Sequence, residues 1–194
     1  MRFTTTIASL ALAGAALAAP TPSSDNLNVL TRRGDKDKCV SREYVEELVA
    51  KEIIFLQHLE GTEEESRAAA FEIFDPAIIE YGDSINSLRG DPVGTVIYSD
   101  RETYVTNTLS SPPVPQIDTL ALVVECNTFV WQWRFYGIGG PTAPDPYVQG
   151  FTLATINEAG LIDYQYVEFN SLAWATNAGF TVTPPTEGQL APEK

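Results

Sequence analysis

"TFVWQWRFYGI", residues 128–138, decides the fold. Its large apolar side chains fall on every second position. Phe129, Trp131, Trp133 and Phe135 share one face, and Gln132, Arg134 and Tyr136 share the other. A period of two is that of a half-buried strand, with the tryptophans forming a core wall. Upstream, "TLALVVECN" (119–127) is a nearly continuous apolar run. Downstream, "VQGFTLATI" (148–156) and "LIDYQYVEFN" (161–170) flank "NEAG" (157–160), which reads as a hairpin turn. The second half of the chain is therefore a run of antiparallel strands.

The first half carries a helical period. Ser41 is a good N-cap, and Glu43 and Glu46 suit a positive first turn. Val45, Leu48, Glu52, Phe55, Leu56 and Leu59 then form a stripe that Gly61 ends. Thr62 caps a second helix with Glu63, Glu64 and Glu65 in its first turn, ending before Asp75-Pro76. "AIIEY" (77–81) is a short strand and "SINSLRGDPVG" (84–94) a turn-rich excursion. "SDRETYVTNTLSS" (99–111) is a short helix capped by Ser99 or Asp100, and "SLAWATNAGF" (171–180) adds a terminal one. The order predicts an α+β fold, with N-terminal helices packed on one face of a curved antiparallel sheet. One domain spans residues 34–180, and residues 181–194 have no core pattern and predict a disordered tail.

The chain's beginning points to export. Arg2 precedes an apolar run, Ile7 to Ala19, that is too short to span a bilayer and ends in small residues, so residues 1–19 predict a signal peptide. The dibasic Arg32-Arg33 predicts a propeptide over residues 20–33, the alternative being a basic pair in a disordered arm. Without Arg2, Arg32, Arg33 and Asp25, nine basic residues face 25 acidic ones, a net charge of −16. So acidic an extracellular protein repels phosphate backbones and anionic lipids, which argues against nucleic-acid and membrane partners. Cys39 and Cys126 form a single disulfide or stay two buried thiols. Two cysteines and one histidine argue against a structural zinc site, and no motif for a bound metal or cofactor is present.

The element order, together with "EYGDSIN" (80–86), "SSPPVP" (110–115), "WQWRFYG" (131–137) and "YVEFNSLAW" (166–174), resembles the nuclear transport factor 2-like superfamily of cone-shaped α+β proteins. That group includes scytalone dehydratase, ketosteroid isomerase and the SnoaL-like cyclases, and the resemblance is nearest to its secreted ascomycete branch. It covers residues 41 to about 180. It implies a cone that holds a small apolar molecule, and a homodimer through the outer sheet face, where Gln132, Arg134 and Tyr136 would lie. In the family's enzymes a carboxylate or histidine on the first strand or cone wall moves a proton, and the matching position here is Asp83. The alternative for Asp83, Ser84 and Asn86 is to hydrogen-bond a turn. Scytalone dehydratase and the cyclases lean on histidines that this chain lacks on its strands. Its one histidine, His58, sits off the helical stripe and reads as a boundary residue.

On the last strand Tyr164, Tyr166, Glu168 and Asn170 share a face. If that face looks into the cone, Glu168 is a second carboxylate with tyrosine donors beside it. If it looks outward, Glu168 pairs with a surface arginine such as Arg134 or Arg101. Tyr81, Asn86, Trp131, Trp133, Tyr166 and Asn170 complete the candidate ligand contacts. Two functions follow. The first is a secreted binding or interaction protein for a small apolar ligand, and the second a cofactor-free lyase or isomerase with a carboxylate base in the cone.

Overall fold

The computed structural model describes residues 39–183. The signal-peptide, dibasic-site and far C-terminal expectations lie outside them. In chain order the elements are α1 (Arg42–Gln57), α2 (Glu63–Ile73), β1 (Phe74–Tyr81), α3 (Asp83–Arg89), β2 (Val96–Tyr98), α4 (Arg101–Leu109), β3 (Gln116–Glu125), β4 (Thr128–Tyr136), β5 (Tyr147–Ile156), β6 (Ile162–Phe169) and α5 (Ser171–Asn177). The six strands form one curved sheet in the order β2-β1-β6-β5-β4-β3. All neighbours are antiparallel except β1 and β6, which run parallel. That parallel pair corrects the all-antiparallel expectation. The crossover through α3, β2 and α4 leaves β6 to close beside β1 from the far side of the meander.

The period-two reading of β4 holds residue by residue: Phe129, Trp131, Trp133 and Phe135 are buried while their neighbours are half-exposed. These rings meet Val45, Leu48, Val49 and Phe55 of α1, Ile73 of α2 and Tyr104 and Val105 of α4 in one core between the sheet's concave face and the helices. The buried indole N–H groups are not left unpaired. Trp131 donates to Thr119 Oγ1 at 2.9 Å and Trp133 to Thr152 Oγ1 at 3.1 Å. Gly150 permits the tight packing here. A Cβ on it would lie 2.4 Å from the Glu168 carbonyl oxygen and 2.7 Å from the Trp133 ring.

Local differences have local causes. The stripe on α1 ends early, at Gln57, and Leu59 lies outside it at 46% exposed. His58 is buried, not at a boundary: its ring nitrogens sit 3.2 Å from the Phe55 carbonyl and 2.9 Å from that of Ser111. Thr62 precedes α2 without capping it, because its hydroxyl donates to Leu59 O. Asp100, not Ser99, caps α4. The excursion after β1 is in part a helix, α3, closed by Gly90 in the left-handed conformation (φ 78°). Cys39 and Cys126 are joined, tying the entry to α1 to the β3–β4 turn.

Candidate functional site

Strand register decides which polar groups look into the cone. On β1 the burial alternates so that Ile78 and Glu80 face inward while Ile79 faces out. Glu80 is opposite Gln165 on β6 and Tyr98 on β2. On β6 the inward set is therefore Gln165, Val167 and Phe169, and Tyr164, Tyr166 and Glu168 point outward, opposite Thr155, Leu153 and Phe151. The face of β6 carrying Glu168 thus looks away from the cone.

Inside, an acidic cluster assembles from four elements. Glu80 (3% exposed) and Glu52 from α1 (2%) share the interior with Gln165 (0%) and Tyr104 of α4 (5%). The Gln165 amide Nε2 lies 2.5 Å from Glu80 Oε2 and 2.9 Å from the Tyr104 hydroxyl. Phe55, Phe74 and Tyr98 surround Tyr104, their ring centres 5.4, 5.1 and 5.1 Å from it. Tyr98 reaches the rim, where Arg89 of α3 donates to its hydroxyl and lies over its ring at 5.0 Å. Two buried oxygens, Glu52 Oε2 and Gln165 Oε1, have no hydrogen-bond partner among the described residues.

Among the described residues neither buried carboxyl has an ion-pair partner, so burial dominates their chemistry. Desolvation raises Glu80 to about 7, opposed by the Gln165 hydrogen bond and by Arg89. Desolvation, joined by the Glu80 charge, raises Glu52 to about 8. The two carboxyls are coupled, so charge on Glu80 resists ionisation of Glu52. The Tyr104 hydroxyl is pushed well above its usual range, by burial first and then by the two carboxyls. The cluster can hold or exchange a proton near neutral pH, and it offers acceptors to any donor that enters. Among the described residues no group of three His, Cys, Asp or Glu side chains is placed to hold a metal ion.

The residues singled out from the sequence come together elsewhere, at the narrow junction of β1, α3 and the end of β6. Glu168 Oε1 accepts from the Asp83 N–H at 2.7 Å, its Oε2 accepts from the Ser84 hydroxyl, and Asp83 Oδ1 accepts from Gly94 N at 2.6 Å. Glu168 bonds this turn instead of an arginine. Asn86 is buried and donates to Thr95 O, and Asn170 caps α5 by accepting from Ala173 N. Tyr81 and Tyr166 are cross-strand neighbours on the outer face, with the Tyr166 hydroxyl raised to about 12 by partial burial and the nearby Glu168. Trp131 and Trp133 are core. Gln132, Arg134 and Tyr136 lie on the outer face as expected, where Arg134 covers the Tyr147 ring at 4.3 Å and donates to Gln149.

Sequence reasoning missed Glu80, Gln165 and Tyr104 as site residues, and placed Glu52 on the stripe without asking what an acid does there. Two signals were legible. Glu52 is an acid at a core position of an apolar helical stripe, and Glu80 continues the alternation of Phe74 and Ile78 on the buried face of β1. Each is a charge written where a hydrophobe belongs.

Residues 38–181 match the family model of the NTF2-like domain, and the chain belongs to that family. Among solved structures it is similar to TsrD from Streptomyces laurentii, at 16% identity and TM-score 0.51, covering 72% of this chain and 98% of that one. A protein assigned as a SnoaL-like polyketide cyclase from Jannaschia sp. CCS1 gives 17% identity and TM-score 0.50, covering 74% and 94%. Both likenesses are of fold. No curated protein matches the chain.

Proposed function

We propose that this is an exported protein that binds a small molecule inside its cone, with Glu52, Glu80, Gln165 and Tyr104 as the polar contacts and the surrounding aromatic rings as the apolar ones. One observation carries the reading: among the described residues two carboxyls are buried without an ion-pair partner, and one oxygen of Glu52 and one of Gln165 have no hydrogen-bond partner. Such a cluster costs stability and does nothing for packing that apolar side chains would not do better. Binding pockets commonly combine an apolar lining with a few convergent polar groups. The polar cluster is buried, so entry needs movement, and the rim offers it where the exposed Arg89 side chain rests on Tyr98. The Cys39–Cys126 bond fits an oxidising compartment. No described helix is long and apolar enough to cross a membrane.

A second reading is favoured by Glu80 itself. A carboxyl poised near 7 beside a tyrosine hydroxyl is suited to proton abstraction, which supports a cofactor-free lyase or isomerase with Glu80 as base. The fold is shared with proteins assigned to such chemistry, although fold alone does not confer it. The outer sheet face is where a second copy would pair. Native mass spectrometry of protein recovered from its own source tests the binding reading. A retained compound that Glu80→Gln fails to retain supports it. Retention unchanged in Glu80→Gln and Glu52→Gln would overturn it, as would an empty protein that no compound in a small-molecule library stabilises.

A further inference from the structure

Resting on the binding reading above, we infer that the cone selects a small organic cation: an ammonium- or amidinium-type group directed at Glu52 and Glu80, on an apolar body held among Phe55, Phe74, Tyr98 and Tyr104. Three independent features lead to this. First, among the described residues neither interior carboxyl has an ion-pair partner, so on ionising they offer negative charge that no contacting cation neutralises. Second, two polar atoms of the cluster, Glu52 Oε2 and Gln165 Oε1, have no hydrogen-bond partner among the described residues, and they belong to side chains 2% and 0% exposed. A donor satisfies Gln165 Oε1 and, once Glu52 is ionised, Glu52 Oε2 as well, and Gln165 is oriented towards the acids, with its amide against Glu80 and Tyr104. Third, four aromatic rings form a contiguous group, Phe55 and Phe74 meeting at 5.8 Å and both meeting Tyr104, itself stacked on Tyr98. Aromatic faces beside carboxylates are the usual recognition chemistry for an organic cation, since ring quadrupole and carboxylate attract the same charge.

The groups facing the acids are known from each element around them: Glu52 on α1, Glu80 on β1, Tyr98 on β2, Tyr104 on α4, Gln165 on β6 and, at the rim, Arg89 on α3. Arg89 already acts on Glu80 from a distance and favours its charged form. Burial favours the protonated form of both acids in the free protein, so a bound cation competes with protons for the site. Affinity must therefore rise with pH across the neutral range, and the coupling is reciprocal.

Benzamidine and benzamide test this. They share a shape and N–H donors, and benzamidine keeps its positive charge throughout pH 6 to 8.5 while benzamide is neutral. Binding of each to the full protein is measured by calorimetry across that range. The expected result is preference for benzamidine, its affinity increasing at least about tenfold from pH 6 to pH 8 with loss of a bound proton, while any benzamide affinity stays flat. Glu52→Gln and Glu80→Gln should each reduce the pH slope. These contrasts can be read on the unaltered protein even if a variant folds poorly. Equal, pH-independent binding of the two compounds overturns the cation inference and leaves the binding reading standing. Binding of neither, at millimolar concentration and pH 8, overturns the cation inference, and with an empty protein from its own source it removes the binding reading too.

Discussion

Replacing Glu52 by glutamine should flatten the protein's loss of stability with rising pH. The sign follows from linkage. An unfolded glutamate ionises near 4.5, whereas buried Glu52 holds its proton up to about 8. Between these values the unfolded state releases a proton that the folded state keeps, so stability is full below pH 4.5 and falls as pH rises towards 8. Each unit of separation is worth about 1.4 kcal/mol, which puts the cost of Glu52 at about 4 kcal/mol at pH 8 and close to zero at pH 4. Glutamine has the same length and no charge to bury. Its new N–H groups add a penalty that does not depend on pH, so the signature is the change in difference between variant and parent, not its absolute size. For a domain of this length about 4 kcal/mol corresponds to about 8–16 °C in Tm. Thermal unfolding of both proteins by circular dichroism, from pH 4.5 to 8.5 at constant ionic strength, reads it directly. Relative to the parent, Glu52→Gln should gain stability steadily across the range. Parallel curves would show that Glu52 ionises normally and would refute the description of the interior as unpaired and desolvated.

The disulfide closes a sequence separation of 87 residues, which chain entropy values at ~4.5 kcal/mol, so Cys39→Ala with Cys126→Ala should lower the unfolding free energy from denaturant titration by that order, and the midpoint with it. A midpoint unchanged on reduction would show that the bond constrains little. Glu168→Ala removes the acceptor of the Asp83 N–H and the Ser84 hydroxyl and should cost about 1–3 kcal/mol in chemical denaturation while leaving affinity for the cone ligand unaltered. A lost affinity with unchanged stability would instead give Glu168 a direct role. Gly82→Ala places a Cβ 2.4 Å from the Val167 carbonyl oxygen, a backbone atom held in the sheet, and should destabilise by more than ~2 kcal/mol or prevent soluble expression. A variant as stable as its parent would show that β1 and β6 can part there.

Much of the fold could be read in the sequence because it is local. The alternation in β4, the stripe on α1, the Asn157–Gly160 turn and the cap at Ser41 each depend on a few neighbouring residues. Two features are not local. The parallel β1–β6 pairing joins strands more than 80 residues apart, and the direction in which β6 faces is set by its register with β5 and by the room Gly150 leaves for Phe169. Alternation alone divides β6 into two faces without saying which is inside, and of the two orientations it leaves open the register with β5 selects the one that turns Tyr164, Tyr166 and Glu168 outward. The "EYGDSIN" stretch shows the same limit. Asp83, Ser84 and Asn86 stand out as small polar residues after an apolar run, yet their bonds are to backbone and to Glu168. The residue that enters the cone is the first letter of the stretch, Glu80, and it is inconspicuous because a charge at a strand end usually faces water.

The most direct test of the central claim is a crystal structure of the protein with its bound compound, whether retained from its source or found by stabilisation. The account predicts density inside the cone, with donor atoms within hydrogen-bond distance of Glu52 Oε2 and Gln165 Oε1 and with Tyr98 and Arg89 displaced from their free positions. A compound lying on the outer sheet face, with Glu52, Glu80, Gln165 and Tyr104 unmoved, would contradict it.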